Sequence, residues 1–254
     1  MKQLFNNIIN ADDYGISDSK NRAILFAAKN NLINSTSVSV VNGLSIHDAG
    51  LISSFSPDFQ IGLHVNLTEG LSSLGTPYEN AVSLLNKDSS SLSFYRREIE
   101  YQIEKFKKIF GIYPRFIDSH QHFCYLAPKA FTVFLRLAEK YSLPVRSPMP
   151  FTSGPRLYQF VQQVDESYGI ELNFDPVSRA DELNDILLKE PSVYFRTKDV
   201  LIDLDFLKPK TKQIIKTRAS LEIVCHPEYI AIGPNQDLYC LMEEAGVESE
   251  EELF

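Results

Sequence analysis

Four of the five histidines in this 254-residue chain stand beside acidic or turn-forming residues in a pattern that could do chemistry. Asp12 and Asp13 precede Tyr14-Gly15, and His64 lies in Gly62-Leu-His-Val. His120 and His122 alternate with Asp118 in Asp118-Ser-His-Gln-His122, and His226 stands before Pro227. A carboxylate and two imidazoles make a mixed oxygen and nitrogen donor set that holds a divalent ion and leaves positions open, as catalytic ions require. Such an ion lowers the pKa of a coordinated water toward ~7 and polarises a carbonyl oxygen. A neighbouring carboxylate can then take a proton, and an imidazole, with an unperturbed pKa of ~6.5, can give one to a leaving nitrogen. Singly, each residue has a plainer explanation. Asp-Asp before Tyr-Gly is common turn chemistry, His64 can be a hydrogen-bonded core histidine, and His226 can cap a strand. The argument is positional, because each falls at or near the C-terminal end of an expected strand. His47 does not, and is read as a surface residue.

Elements must exist to bring these residues together. Leu4 to Asn10 reads as a strand, followed by a turn at Tyr14-Gly15 and a helix capped by Ser17 or Asp18. Thr36 to Val41 and Gln60 to Leu67 carry strand signatures closed by Asn42-Gly43 and Glu69-Gly70. From Phe94 to Phe110, Ile99, Ile103, Phe106 and Phe110 recur at helical spacing, with Gly111 as the stop. Arg115 to His122 reads as a strand, Phe131, Phe134, Leu135 and Ala138 as a helical stripe, Val145 to Ser147 as a short strand, and Leu221 to Cys225 as a buried strand. Strands alternating with helices predict a parallel sheet, as a barrel or an open sheet, with its site at the strands' C-terminal ends. Side-chain alternation would put Asp118, His120 and His122 on one face. It would separate Asp12 from Asp13 unless the strand ends there. The stretches 70–93 and 151–190 break the rhythm and are read as insertions over the site, and the acidic tail, 248–252, as a solvated end.

A formal charge of −8 argues against nucleic acid and anionic lipid as partners. No stretch approaches the ~20 apolar residues of a membrane span, which predicts a cytoplasmic protein. Cys124, Cys225 and Cys240 lack CxxC spacing, so a bound metal needs other ligands.

Taken together, Asn10-Ala-Asp-Asp-Tyr-Gly15, Gly62-Leu-His-Val-Asn-Leu-Thr68, Asp118-Ser-His-Gln-His122, Pro144-Val-Arg-Ser147 and Val224-Cys-His-Pro227 resemble, in order, the motifs of the YdjC-like carbohydrate deacetylases, which include chitooligosaccharide deacetylases. The resemblance implies one domain over 1–254, a deformed (β/α) TIM-like barrel, and hydrolysis of an N-acetyl group from an amino sugar. It places the metal ligands on Asp13, His64 and His120, the general base on Asp12 and the general acid on His226. Asp118, His122 and Arg146 take supporting positions, and Asp118 would orient a histidine. The cofactor expected is one divalent ion, Zn²⁺ or Mg²⁺, with Mn²⁺, Co²⁺ or Fe²⁺ as alternatives, and relatives suggest a homodimer. Gln121 and Cys124 depart from the longer histidine run of many relatives, which bears on substrate contacts rather than on the ligands. The chain has no Trp, so Tyr78, Phe123 and Tyr125 are the candidates for stacking a sugar, against a competing reading as core. Two rivals remain: a phosphoesterase or other amidohydrolase on the same kind of barrel, and a non-catalytic sugar- or metal-binding domain.

Overall fold

The computed structural model describes residues 7–87, 90–190, 192–197, 199–201, 221–230 and 233–245. The expected strand start at Leu4 and the acidic tail lie outside them.

Eight strands and nine α-helices are assigned among the described residues, and the first half alternates as expected. Strand β1 (Ile8–Tyr14) leads to α1 (Asp18–Lys29), β2 (Ser35–Val38) to α2 (Ile46–Ser53), and β3 (Gln60–Val65) to α3 (Ala81–Lys87) and α4 (Leu92–Phe110). Strand β4 (Ile117–Ser119) is followed by α5 (Phe123–Leu126) and α6 (Pro128–Tyr141). The stretch read as a second insertion forms α7 (Gly154–Tyr168) and α8 (Pro176–Lys189). Then come β5 (Asp199–Leu201), β6 (Leu221–Cys225), a short hairpin of β7 (Tyr229–Ile230) and β8 (Gly233–Pro234), and α9 (Gln236–Ala245). His47 is exposed on α2.

Six strands form one sheet in the order β4-β3-β2-β1-β6-β5, and every pairing within it is parallel. The pairing continues past β4, because Val145 makes parallel bridges to Ile117 on one side and Phe195 on the other. A few residues after Phe195 the chain enters β5, which pairs with β6. The sheet therefore curls round on itself, as a deformed barrel does, and the expected strand at Val145 to Ser147 reduces to one bridging residue.

The helices form where the sequence has both a stripe and a stop. Ser17 caps α1, its hydroxyl accepting from the Lys20 N–H at 3.3 Å. Helix α4 buries Tyr95, Ile99, Ile103 and Phe106 along one face and ends at Gly111, whose φ of 74° closes the last turn as expected. Helix α6 begins with Pro128 at its first position and buries Phe131, Phe134, Leu135 and Ala138. Phe123 and Tyr125 are wholly in this core, Tyr125 stacking on Phe151 at 5.6 Å, so core packing rather than sugar stacking is their role.

Two expectations need correction. The strand expected to reach His122 stops at Ser119, and Gln121 and His122 take positive φ of 49° and 53°. Alternation therefore does not extend to His122. Nor does β1 end before Asp13. Instead its register with β2 slips between Ala11 and Tyr14, and Asp13 has φ 73°. Such a bulge adds a residue on one side, which re-aims consecutive side chains and lets Asp12 and Asp13 both serve the same end of the barrel.

Candidate metal centre

Asp12 and Asp13 lie near the C-terminal end of β1 and His64 near that of β3; His120 follows β4 and His226 follows β6. In a parallel barrel these ends share one face, and the structure brings the first four together there.

Asp13 Oδ1 lies 2.9 Å from His120 Nδ1 and 3.2 Å from His64 Nε2, and the two ring nitrogens are 3.2 Å apart. All three residues are buried. Adjacent ligands around an ion with bonds of about 2.1 Å are about 3 Å apart when they subtend a right angle, so this triangle has the size of one face of a coordination shell. His64 Nδ1 faces the acceptor Asp118 Oδ1 at 2.7 Å, which leaves Nε2 to supply a lone pair to the triangle. Asp13 Oδ2 instead accepts from the Lys20 ammonium at 2.5 Å, so the two oxygens of Asp13 face different partners.

Below the triangle is a layer of ions. Arg146, fully buried, donates to both oxygens of Asp12 at 2.8 and 2.7 Å, lies 2.6 Å from Asp118 Oδ2, and donates to Glu222 at 2.8 Å. Asp12 also accepts from Asn10 at 2.6 Å and from Ser37 at 3.0 Å. Arg196 forms the floor, donating to Glu222 at 3.1 Å, Ser35 at 2.9 Å and Gln60 at 3.1 Å. Its guanidinium carbon lies 3.3 Å from the centroid of the Phe116 ring.

These surroundings set the protonation states. Burial opposes ionisation of Asp12, but the charges of Arg146 and His64 and the Arg146 hydrogen bond outweigh it and hold the carboxyl far below its usual range. Burial likewise opposes ionisation of Asp13, and hydrogen bonds from His120 and His64 overcome it. For His64, burial favours the neutral ring, yet Asp118 and Asp12 together lift its pKa to about 10. His120 is raised too, against burial, by Asp13 and Glu69. Positive charge is thus what the centre attracts. The buried carboxylates Asp12, Asp13, Asp118 and Glu222 face two buried guanidinium groups, Arg146 and Arg196, leaving two negative charges with neutral histidines. At the rim, Lys20 and Glu69 offset each other. A divalent cation on the triangle balances the charge, so the donor set fits such an ion.

His226 is half-buried beside this layer, close enough for its charge to act on Asp12. Its main-chain N–H donates to Asp237 at 2.6 Å and its main-chain carbonyl accepts from Asn235 at 2.7 Å, which pins the loop after β6. His122 points elsewhere, packing against Phe151 and Phe160 with ring centroids 5.1 and 5.7 Å away. Sequence reasoning missed Lys20, Ser37, Arg196 and Glu222. Glu222 did leave a signal, as the lone charge in an otherwise apolar buried strand, and so did Ser35 and Ser37, alternate residues of a strand buried throughout.

A curled parallel sheet with carboxylate and imidazole donors converging at its strand ends defines an α/β barrel carrying a metal-type centre. The chain belongs to the YdjC-like protein family, whose sequence pattern matches residues 7–253. It is 26% identical over 231 residues to a chitooligosaccharide deacetylase of Klebsiella pneumoniae subsp. pneumoniae, a match covering 88% of this chain and 81% of that protein. Among solved structures, a protein of Enterococcus faecalis named as a candidate for cellobiose-phosphate cleavage superposes with a TM-score of 0.65 at 21% identity, covering 95% of each chain. A lactam utilization protein of Thermus thermophilus gives 0.49 at 12% identity, covering 95% of this chain and 98% of its own. Among the described residues no helix is long and apolar enough to cross a membrane.

Proposed function

We propose that this chain is a single-domain, metal-dependent carbohydrate deacetylase that hydrolyses the N-acetyl group of an amino sugar or chitooligosaccharide. The observation that carries the metal is the buried triangle of Asp13, His64 and His120, set among buried carboxylates that outnumber the guanidinium groups by two. The sugar substrate rests on family membership and on the named activity of the Klebsiella relative. An ion held there supplies an acidified water and a polarised carbonyl oxygen.

The protein's own residues account for the proton movements. Asp12, kept ionised by Arg146, is always ready to accept a proton, but its depressed basicity means the donor must itself be acidic. Both of its oxygens are already occupied by Asn10, Ser37 and Arg146, which fixes the carboxylate in place. His226, carried by the pinned loop after β6, is the group assigned to protonate the departing amine. Asp118 orients His64. Asp12→Asn is expected to abolish turnover while metal stays bound, and undiminished turnover in that variant removes Asp12 from the base role.

The deciding experiment is acetate release from N-acetylglucosamine oligomers by chelated protein given Zn²⁺, Mn²⁺, Co²⁺ or Mg²⁺ separately. Acetate restored by one or more ions is the expected result. Metal bound without acetate from any oligomer would overturn the substrate and leave the centre standing.

A further inference from the structure

We propose that Glu69 is a positioning residue for His120, setting which ring nitrogen that histidine offers to an ion. The proposal rests on the metal-centre reading above and adds a residue to it.

The two imidazoles of the triangle are turned in opposite senses. His64 presents Nε2 and turns Nδ1 to Asp118; His120 presents Nδ1, which leaves Nε2 on the far side of its ring. That second nitrogen is buried and carries no hydrogen bond among the described residues. The acidic atom facing it is Glu69 Oε2 at 3.4 Å, ion-pair range rather than a short hydrogen bond. A ring ligating through Nδ1 must carry its proton on Nε2, and a carboxylate there fixes the tautomer and raises the basicity of the ligating atom. Glu69 would thus do for His120, at the rim, what Asp118 does for His64 in the interior.

Glu69 is 45% exposed, so something has to hold it. Its other oxygen accepts from Gln121 Nε2 at 2.9 Å, and Gln121 Oε1 in turn accepts from Thr68 at 3.0 Å. The Glu69 N–H donates to Asn66 Oδ1 at 2.9 Å, while Gln102 of α4 bonds both the N–H and the carbonyl of Asn66, at 2.9 and 2.6 Å. The carboxylate is therefore fixed from its backbone and from one oxygen, with the second left for His120. Gln121 suits this place, because an amide can donate to Glu69 and accept from Thr68 at once.

The test measures Zn²⁺ affinity by chelator competition for wild type, Glu69→Ala and Gln121→Ala, together with the melting temperature of each metal-free protein. Loss of Glu69 is expected to weaken Zn²⁺ binding about 10- to 100-fold and loss of Gln121 to act in the same direction, with metal-free melting unchanged. In the Zn²⁺-loaded wild type, the imidazole ¹⁵N spectrum should show His120 metallated at Nδ1 and His64 at Nε2. Unchanged affinity in Glu69→Ala, a fall matched by lower metal-free melting, or Nε2 ligation by His120 would each overturn the proposal while leaving the metal centre intact. Wild type that binds no Zn²⁺, Mn²⁺ or Co²⁺ would overturn the centre itself.

Discussion

Arg146 is the residue on which the interior turns. It is fully buried and faces three carboxylates, on or after β1, β4 and β6, so its removal strands Asp12, Asp118 and Glu222 together. Breaking a buried pair by deleting one partner commonly costs about 3–5 kcal/mol. Arg146→Met is expected to cost at least that in urea unfolding, and Arg146→Lys to recover little of it, because an ammonium cannot reproduce the paired bonds to Asp12. This residue was legible from the sequence only through the family's motif. Nothing in the local pattern of Pro144-Val-Arg-Ser147 distinguishes a strut from a surface arginine, since its three partners are distant in the chain.

At the scale of elements, close approach and loop anchoring decide what can change. A Cβ on Gly62 of β3 would fall 2.3 Å from the Phe116 ring, which Arg196 already covers. Gly62→Ala is expected to destabilise by about 1–3 kcal/mol, read from the denaturation midpoint, by pushing that ring into the floor. The loop after β3 hangs on Glu98 of α4, buried, which accepts from the Ser73 N–H and hydroxyl at 2.7 and 2.6 Å and from Tyr78 at 2.9 Å. Burial opposes its ionisation, but those bonds, with that from Arg97, prevail and depress its pKa. The sign follows: its contribution is present above the ordinary glutamate range and lost as pH falls through the depressed value. Protection from hydrogen exchange at Leu71 to Tyr78, taken relative to the intrinsic amide rate at each pH, is expected to fall on acidification below about pH 4, and to be low already at pH 7 in Glu98→Ala. The elements themselves were largely readable, since α4 and α6 carry long stripes with clear stops and β3 and β6 are apolar runs closed by turns. What periodicity could not show is where a strand bends. The bulge at Asp13 and the early end of β4 depend on positive φ at Asp13, Gln121 and His122, and none is a glycine that would have advertised it. Hence the sequence argument put Asp12, Asp13 and His120 at strand ends, where the structure has them, but carried His122 onto a face it does not share.

For the whole molecule, charge couples folding to metal. In the metal-free protein the raised His64 pKa contributes stability that is complete below its unfolded value of ~6.5 and lost as pH climbs toward about 10. On the proposed metal reading, His64 would give up that proton to hold an ion, and loaded protein would escape the loss. The gap in melting temperature between loaded and chelated protein is therefore expected to widen from about pH 6.5 to about pH 9. At an ion concentration of about 100 times Kd, binding adds about 2.7 kcal/mol. A gap that is flat or narrows with pH would mean that the ion does not compete with the His64 proton.

The ionic layer beneath the triangle also decides how the protein should be disarmed. A crystallographer seeking an inert form that still holds an intact sugar would reach first for Asp12, yet it shares Arg146 with Asp118 and Glu222, and altering it disturbs the struts that join three staves of the barrel. His226 is half-buried and its loop is held through main-chain atoms by Asp237 and Asn235, so its imidazole can be exchanged while those anchors remain. On the proposed mechanism the better trap is the histidine on the loop, because there the scaffold and the proton donor come apart.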